Sequence, residues 1–99
     1  MAGLVRPFLQ GYRDLGGDGR WEDHIVHDVI PCESGWQIDP GGELGLAQFA
    51  GSTWATVSAI TGCADWRDLY CQGAGVAAWM DLIAPNYGST AGWPVCWWR

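Results

Sequence analysis

Four cysteines in a chain of only 99 residues constrain the fold more than any other feature of this sequence. A chain of this length supports one domain with a modest core, so covalent cross-links contribute a large share of its stability. Cys32, Cys63, Cys71 and Cys96 include no Cys-x-x-Cys pair, the spacing that zinc sites favour. We therefore expect two disulfides, no metal site and folding outside the reducing cytosol. Four cysteines permit three pairings, and the spacing leaves all three open.

The charge of the chain excludes several classes of partner. Eleven Asp and Glu residues stand against five arginines and no lysine, which gives a net charge of −6. Binding of nucleic acid needs a basic surface that displaces counterions, so we expect no nucleic-acid partner.

No apolar run approaches the ~20 residues of a membrane span, and the N-terminus lacks the charged start and apolar core of a signal peptide. Nothing in the sequence indicates a cofactor, and we expect a monomer.

The spacing of apolar residues predicts a mainly α-helical single domain over residues 1–99, with an N-terminal helix and loop in 1–20 and a core in 21–97. A first helix is expected over 3–15, with Pro7 in its first turn. A second runs from Trp21 toward Glu33, with an irregular end at Pro31. A third starts at an N-cap on Ser52 and stops at Gly62. A fourth covers about 72–84 and ends at Pro85.

Two features of the predicted helices and their connections bear on packing and on the site. Gly73 and Gly75 indicate that the last helix packs closely against a neighbour. Residues 35–45 are rich in Gly and Pro, and Asp39-Pro40-Gly41-Gly42 is a strong turn signal. We interpret this segment as a short active-site loop or hairpin.

Glu33 is the sharpest candidate for a catalytic residue. It follows Val29-Ile30-Pro31 and precedes Trp36, so its carboxyl group lies in apolar surroundings. Desolvation there raises the pKa of a carboxyl group and keeps it protonated near neutral pH. Cleavage of a glycosidic bond needs an acid that protonates the leaving oxygen, and a protonated carboxyl group can supply that proton. The alternative interpretation is a glutamate that caps or pairs at the end of a helix.

Four short motifs follow in order along the chain. Cys-Glu-Ser-Gly-Trp at 32–36, Gly-Leu-Ala-Gln-Phe at 45–49 and Ser-Thr-Trp at 52–54 resemble the catalytic motifs of the soluble lytic transglycosylase domain, within the lysozyme-like superfamily. Gly-Trp-Pro-Val-Cys at 92–96 is similar to the end of the catalytic domains of actinobacterial resuscitation-promoting factors. The resemblance covers about residues 21–97.

The resemblance implies a small lysozyme-like domain that cleaves the MurNAc–GlcNAc β-1,4 bond of peptidoglycan outside the cell or facing the cell wall. It implies that Glu33 acts as general acid and then as base. It also implies that Cys32 forms a disulfide with Cys96, which leaves Cys63 to pair with Cys71. The residues implied in substrate binding are Ser34, Trp36, Gln48, Tyr87 and Trp93.

The number of carboxylates decides the mechanism. Hydrolytic glycosidases use two acids, and the acids in the loop after Glu33 are Asp39 and Glu43. The resemblance favours a one-acid lytic transglycosylase, in which the acetamido group of the substrate assists and the muramic 6-hydroxyl attacks to give a 1,6-anhydro product. A hydrolytic lysozyme with Asp39 or Glu43 as second carboxylate is the alternative. A chitin-cleaving enzyme and a non-catalytic glycan-binding module are further candidates.

Eight tryptophans are more than a core of this size needs. Trp36, Trp93, Trp97 and Trp98 fall in predicted loops, where an exposed indole can stack on a sugar ring. The alternative for the Trp97-Trp98 pair is packing around Cys96. His24 and His27, three residues apart, are interpreted as part of a solvated helix face rather than as metal ligands.

Overall fold

The N-terminal helix α1 (Ala2–Asp14) opens the chain in the computed structural model, which describes residues 2–87 and 92–98. Its inner face places Phe8 and Tyr12 fully inside the core. Because α1 begins at Ala2, Pro7 lies in its second turn, and the expectation of a first-turn position is wrong. The helix lacks one backbone hydrogen bond there, and burial of Phe8 and Tyr12 offsets that loss.

A composite helix over 22–34 follows a 3-10 turn at Gly19–Trp21. It consists of α2 (Glu22–His24), a π-helical segment (Ile25–Val29) and α3 (Ile30–Ser34), which follow one another without a break. The wider π turn ends two residues before Pro31, which has no N–H to donate to the preceding turn. The helix ends at Gly35, which adopts a left-handed conformation (φ 61°) and donates its N–H to the carbonyl of Pro31.

The loop after the composite helix contains no β-strand among the described residues. Of the two alternatives, the structure shows the loop, in which a single antiparallel bridge joins Leu44 and Phe49 with hydrogen bonds of 2.9 and 3.0 Å. The residues inside this bridge turn inward, and Leu46, Ala47 and Phe49 are buried. The loop is therefore anchored in the core, although it has almost no regular structure of its own.

Two further helices complete the fold. Helix α4 (Gly51–Thr61) ends at Gly62, as expected, in a left-handed conformation (φ 77°). Its N-cap is Ala50, which makes no side-chain cap, so the assignment of Ser52 to that position is wrong. Helix α5 (Leu69–Tyr87) continues past Pro85, where a helix end was expected. A proline this close to a helix terminus interrupts few backbone hydrogen bonds, so the last turn persists.

Helices α1 and α5 approach each other closely at two glycines. A Cβ atom on Gly11 would overlap the backbone carbonyl of Tyr70, and one on Gly73 would overlap that of Phe8. Gly75 packs against the rings of Trp54 and Phe49. The close packing predicted from Gly73 and Gly75 is therefore confirmed.

Two disulfides join segments that secondary structure does not connect. Cys32 in α3 is bonded to Cys96 in the C-terminal 3-10 turn (Cys96–Trp98), with Cα atoms 5.5 Å apart. Cys63 is bonded to Cys71, with Cα atoms 5.4 Å apart, and this bridge fixes the start of α5 to the end of α4. Both pairings agree with the expectation, as does the mainly helical character of the chain. Within the described ranges, no helix has the length and hydropathy needed to cross a membrane.

Candidate active site

Glu33 lies in the last turn of α3 and is half-buried. Its Oε2 atom is shielded from solvent and has no hydrogen-bond partner among the described residues. This burial raises the pKa of Glu33 above that of a solvated glutamate. The direction of the shift agrees with the prediction, and it favours the protonated form that a general acid requires.

Ser34, the next residue, faces the core rather than the glutamate. It is buried, and its hydroxyl donates to the carbonyl of Ile30 at 3.3 Å. That bond satisfies the hydroxyl within its own helix. The hydrogen bond of the Ser34 hydroxyl therefore goes to Ile30 and not to the Glu33 carboxyl group.

Gln48 closes the turn that precedes α4. The backbone of Gln48 adopts a left-handed conformation (φ 55°), and its Oε1 accepts from the N–H of Glu43 at 3.1 Å. Its Nε2 donates to the carbonyls of Glu43 at 3.2 Å and Gly45 at 2.9 Å. The amide thus holds the loop in shape, and a sugar that binds it has to share or replace these bonds.

A small cavity of about 190 Å³ lies beside Gln48. Glu43, Thr53, Trp79 and Trp93 contribute to its walls. Glu33 is not among the residues that line this cavity. Of the predicted substrate-binding residues, the structure brings Gln48 and Trp93 to one cavity, while Glu33 lies outside its lining.

The C-terminal tail links the glutamate segment to the turn. Trp93 is buried, and its indole N–H donates to the carbonyl of Ala47 at 2.9 Å. Three residues later, Cys96 is bonded to Cys32, the neighbour of Glu33. The tail therefore joins both predicted motif segments, one through a disulfide and the other through a hydrogen bond.

Gln72 is a structural residue of this region that the sequence did not reveal. It is 1% exposed, and its Oε1 accepts from the N–H of Ala47 at 3.0 Å. Its Nε2 donates to the carbonyls of Trp66 at 2.8 Å and Leu44 at 3.4 Å. Buried amides are almost always hydrogen-bonded, so a single Gln in the apolar stretch that begins α5 was the available signal.

Most of the loop tryptophans are buried: exposure is wrong for Trp36 and Trp93, whereas burial of Trp97 agrees with the alternative of packing around Cys96. Trp36 is 7% exposed, and its indole N–H donates to the carbonyl of Val26 at 3.1 Å. Trp93 and Trp97 are 5% and 3% exposed. The Trp36 ring packs on Phe8, the Trp93 ring on Phe49 and the Trp97 ring on Trp21 and His24, so loop position did not imply exposure. Trp98 is exposed at 72%.

Neither candidate for a second carboxylate is bonded to Glu33. Asp39 is exposed and its carboxylate lies 3.8 Å from the guanidinium group of Arg67. Glu43 is exposed on the loop that Gln48 holds. Tyr87 is the last residue of α5, and its side chain lies outside the described residues.

The His, Cys, Asp and Glu side chains decide whether the site could hold a metal ion. Within the part of the chain that the structure describes, no three His, Cys, Asp or Glu side chains form a group that could hold a metal ion. His24 instead contacts the carboxylate of Asp28 and the carbonyl of Trp97.

Comparison with protein families, curated proteins and solved structures gave no match.

Proposed function

We propose that this chain is a small lysozyme-like glycosidase that cleaves the MurNAc–GlcNAc β-1,4 bond of peptidoglycan, with Glu33 as general acid and base. The observation that carries the proposal is the state of the Glu33 carboxyl group, which is half-buried and has a shielded, unpartnered Oε2. The residue also follows Cys32 directly, so the disulfide to Cys96 restrains its backbone. The order of the four motifs supports the choice of substrate.

The proposed reaction uses one carboxyl group twice. Protonated Glu33 donates to the glycosidic oxygen while the C1–O bond of the muramic residue breaks. The acetamido oxygen of the same sugar bonds to C1 and stabilises the developing positive charge. Ionised Glu33 then takes the proton of the muramic 6-hydroxyl, whose oxygen attacks C1 and displaces the acetamido oxygen. The product carries a 1,6-anhydro end, and Glu33 is protonated again.

The positions of the loop acids favour this one-carboxylate route. A second carboxylate that activates water or bonds to C1 has to sit close to the sugar on the face opposite the acid. Asp39 is about half exposed and contacts Arg67. Glu43 is exposed, and its backbone is hydrogen-bonded to the side chain of Gln48. A hydrolytic lysozyme that uses Asp39 or Glu43 is the alternative within the same enzyme class.

A non-catalytic glycan-binding module is the rival from another class. Such a module needs aromatic surfaces and hydroxyl-binding groups, and it has no use for a shielded carboxyl group with a raised pKa. The burial of Trp36 and Trp93 also removes two of the indoles that would serve it. The two disulfides support an extracellular or cell-wall-facing location for either function.

The proposal is tested by the release of soluble fragments from purified peptidoglycan. We expect Glu33→Gln to reduce the rate by about 100-fold or more, the scale at which a general acid contributes. Asp39→Asn and Glu43→Gln are matched controls, which keep most of the activity if one carboxylate suffices. An unchanged rate for Glu33→Gln would rule out its role as the acid, and preferential cleavage of chitin would correct the substrate.

A further inference from the structure

A second groove lies between the first turns of the composite helix and the C-terminal tail. Its volume is about 730 Å³, within the range typical of small-molecule sites. One wall consists of residues of the Gly19–Trp21 turn and of the composite helix, and the other consists of Trp97 and Trp98. Neither Glu33 nor Gln48 lines it. We call it the tail groove.

The aromatic residues that line the tail groove are held in place by contacts with one another. Trp97 is buried and meets the ring of Trp21 edge to face, with centroids 5.3 Å apart. It meets His24 in the same way at 4.7 Å. His24 Nε2 also donates to the Trp97 carbonyl at 2.7 Å, and its Nδ1 lies 2.9 Å from Asp28. These contacts hold the tail against the helix.

Trp98 is an exposed indole on a rigid support. Its side chain is exposed, yet it belongs to a 3-10 turn that the Cys32–Cys96 bridge anchors two residues earlier. The backbone N–H of Trp98 donates to the carbonyl of Val95 at 3.3 Å. A large apolar side chain held in water beside a groove is what a stacking platform for a ligand requires.

The rim of the groove consists of polar groups suited to hydroxyls. Arg20 and Asp28 are exposed at 69% and 52% of their side chains, and Asp23 and His27 are exposed beside them. Together they offer donors and acceptors beside the aromatic side chains of the groove. The carboxylates on the rim and the net charge of −6 disfavour anionic ligands such as nucleic acid or acidic lipid. A neutral saccharide meets both the aromatic and the polar requirements.

We propose that the tail groove is a second, non-catalytic binding site for an oligosaccharide of β-1,4-linked N-acetylhexosamines, with Trp98 stacking on a sugar ring. The choice of sugar rests on the proposed function, whereas the chemistry of the groove independently favours a neutral saccharide. Binding there holds a glycan strand on the face of the protein formed by α2 and the tail, outside the Gln48 cavity. The second site raises the affinity for a polymer through simultaneous contacts.

The test is an NMR titration of the 99-residue Glu33→Gln chain with the β-1,4-linked tetramer of N-acetylglucosamine. We expect the Trp98 indole and His27 resonances to shift on binding. Trp98→Ala should weaken binding at this site by about tenfold. Val95→Ala is the matched control, because Val95 is 62% exposed in the same tail and does not line the groove. It should leave the affinity unchanged, and dispersed spectra of both variants establish folding.

Several results would overturn the proposal. They are shifts confined to residues around Gln48, an affinity unchanged by Trp98→Ala, no binding of the tetramer, or Trp98-dependent binding to phosphatidylcholine vesicles in its place. Cleavage of peptidoglycan by the wild-type chain is measured separately. Binding at Trp98 without cleavage leaves the groove standing and rejects the catalytic proposal. Cleavage of peptidoglycan, together with an affinity for the tetramer that Trp98→Ala leaves unchanged, rejects the groove and leaves the catalytic proposal standing.

Discussion

The indole of Trp93 donates to the carbonyl of Ala47 at 2.9 Å. The N–H of Ala47 donates in turn to the side chain of Gln72 at 3.0 Å. Two side chains that are 46 and 25 residues away in sequence therefore satisfy both backbone groups of a single loop residue. The conformation of this loop is set by tertiary contacts rather than by its own sequence, and several predictions depend on those contacts.

Gln72→Ala should destabilise the fold markedly. It removes the partners of the Ala47 N–H and the Trp66 carbonyl and leaves a small cavity, for a loss of about 3 kcal/mol in the free energy of unfolding. Urea denaturation measures the effect. The control is Gln10→Ala, because the amide of Gln10 is exposed and, among the described residues, donates to Asp14 in the same helix. A loss for Gln72→Ala as small as the control's would show that the buried amide does not hold the loop.

Gly45→Ala tests how tightly the loop packs on α5. Gly45 has a φ of 74°, and a Cβ there would overlap the Gln72 amide and approach the Trp66 carbonyl at 2.8 Å. Gly41→Ala is the control, since Gly41 has a φ of 89° and open space around the added atom. We expect about 1 kcal/mol of backbone strain for Gly41→Ala and about 1–3 kcal/mol more for Gly45→Ala. Equal shifts in the thermal midpoint would contradict the close packing.

The two disulfides should contribute unequally to stability. They close loops with sequence separations of 64 and 8 residues. The chain-entropy model gives about 4 kcal/mol for Cys32–Cys96 and about 2.5 kcal/mol for Cys63–Cys71. Paired substitution of each bridge by alanine, followed by denaturant unfolding, gives the comparison. A larger loss from the short bridge would mean that local strain or packing, rather than loop entropy, governs these contributions.

Burial of Glu33 predicts a stability cost that depends on pH. Because its pKa is raised in the folded state, ionisation of Glu33 opposes folding. The stability associated with the protonated form is fully present below the unfolded value and is lost as pH rises through the folded one. Glu33→Gln should therefore raise the melting temperature near neutral pH, and the gain should shrink below the ordinary pKa of 4.5. Glu43→Gln, at an exposed position, is the control. A gain independent of pH would contradict the effect of burial.

The same shift predicts how activity responds to pH. The first step needs the protonated carboxyl group, so kcat/KM should fall as pH rises above the raised pKa of Glu33. A pH–rate profile on solubilised glycan strands measures this limb. Loss of activity only at alkaline pH, with no limb that belongs to a carboxyl group, would indicate that another residue supplies the proton.

Much of the helical architecture could be predicted from the spacing of apolar residues, because Phe8, Tyr12 and Val57 occupy the buried faces that this spacing defines. The disulfide pairing followed the resemblance, and the structure confirms it. Helix ends were less accurate. Pro85 did not end α5 and Ser52 did not cap α4, since such local signals locate a helix end only to within one or two residues.

The surroundings of Glu33 were predictable only in part. Its burial follows from the apolar residues before it, and the raised pKa was expected on those grounds. The burial of Trp36 and Trp93 was not predictable, because a loop position does not show whether a backbone carbonyl is available for the indole N–H. The role of Gln72 was missed for the same reason, as its partners lie in distant loops.

The most direct test of the central claim is mass spectrometry of the products released from purified peptidoglycan by the wild-type chain and by Glu33→Gln. A single carboxyl group that acts as acid and then as base predicts 1,6-anhydro-muropeptides from the wild type and none from the variant. Reducing-end products from the wild type would contradict the one-carboxylate mechanism and direct attention to Asp39 and Glu43. The absence of products from both proteins would contradict glycan cleavage itself.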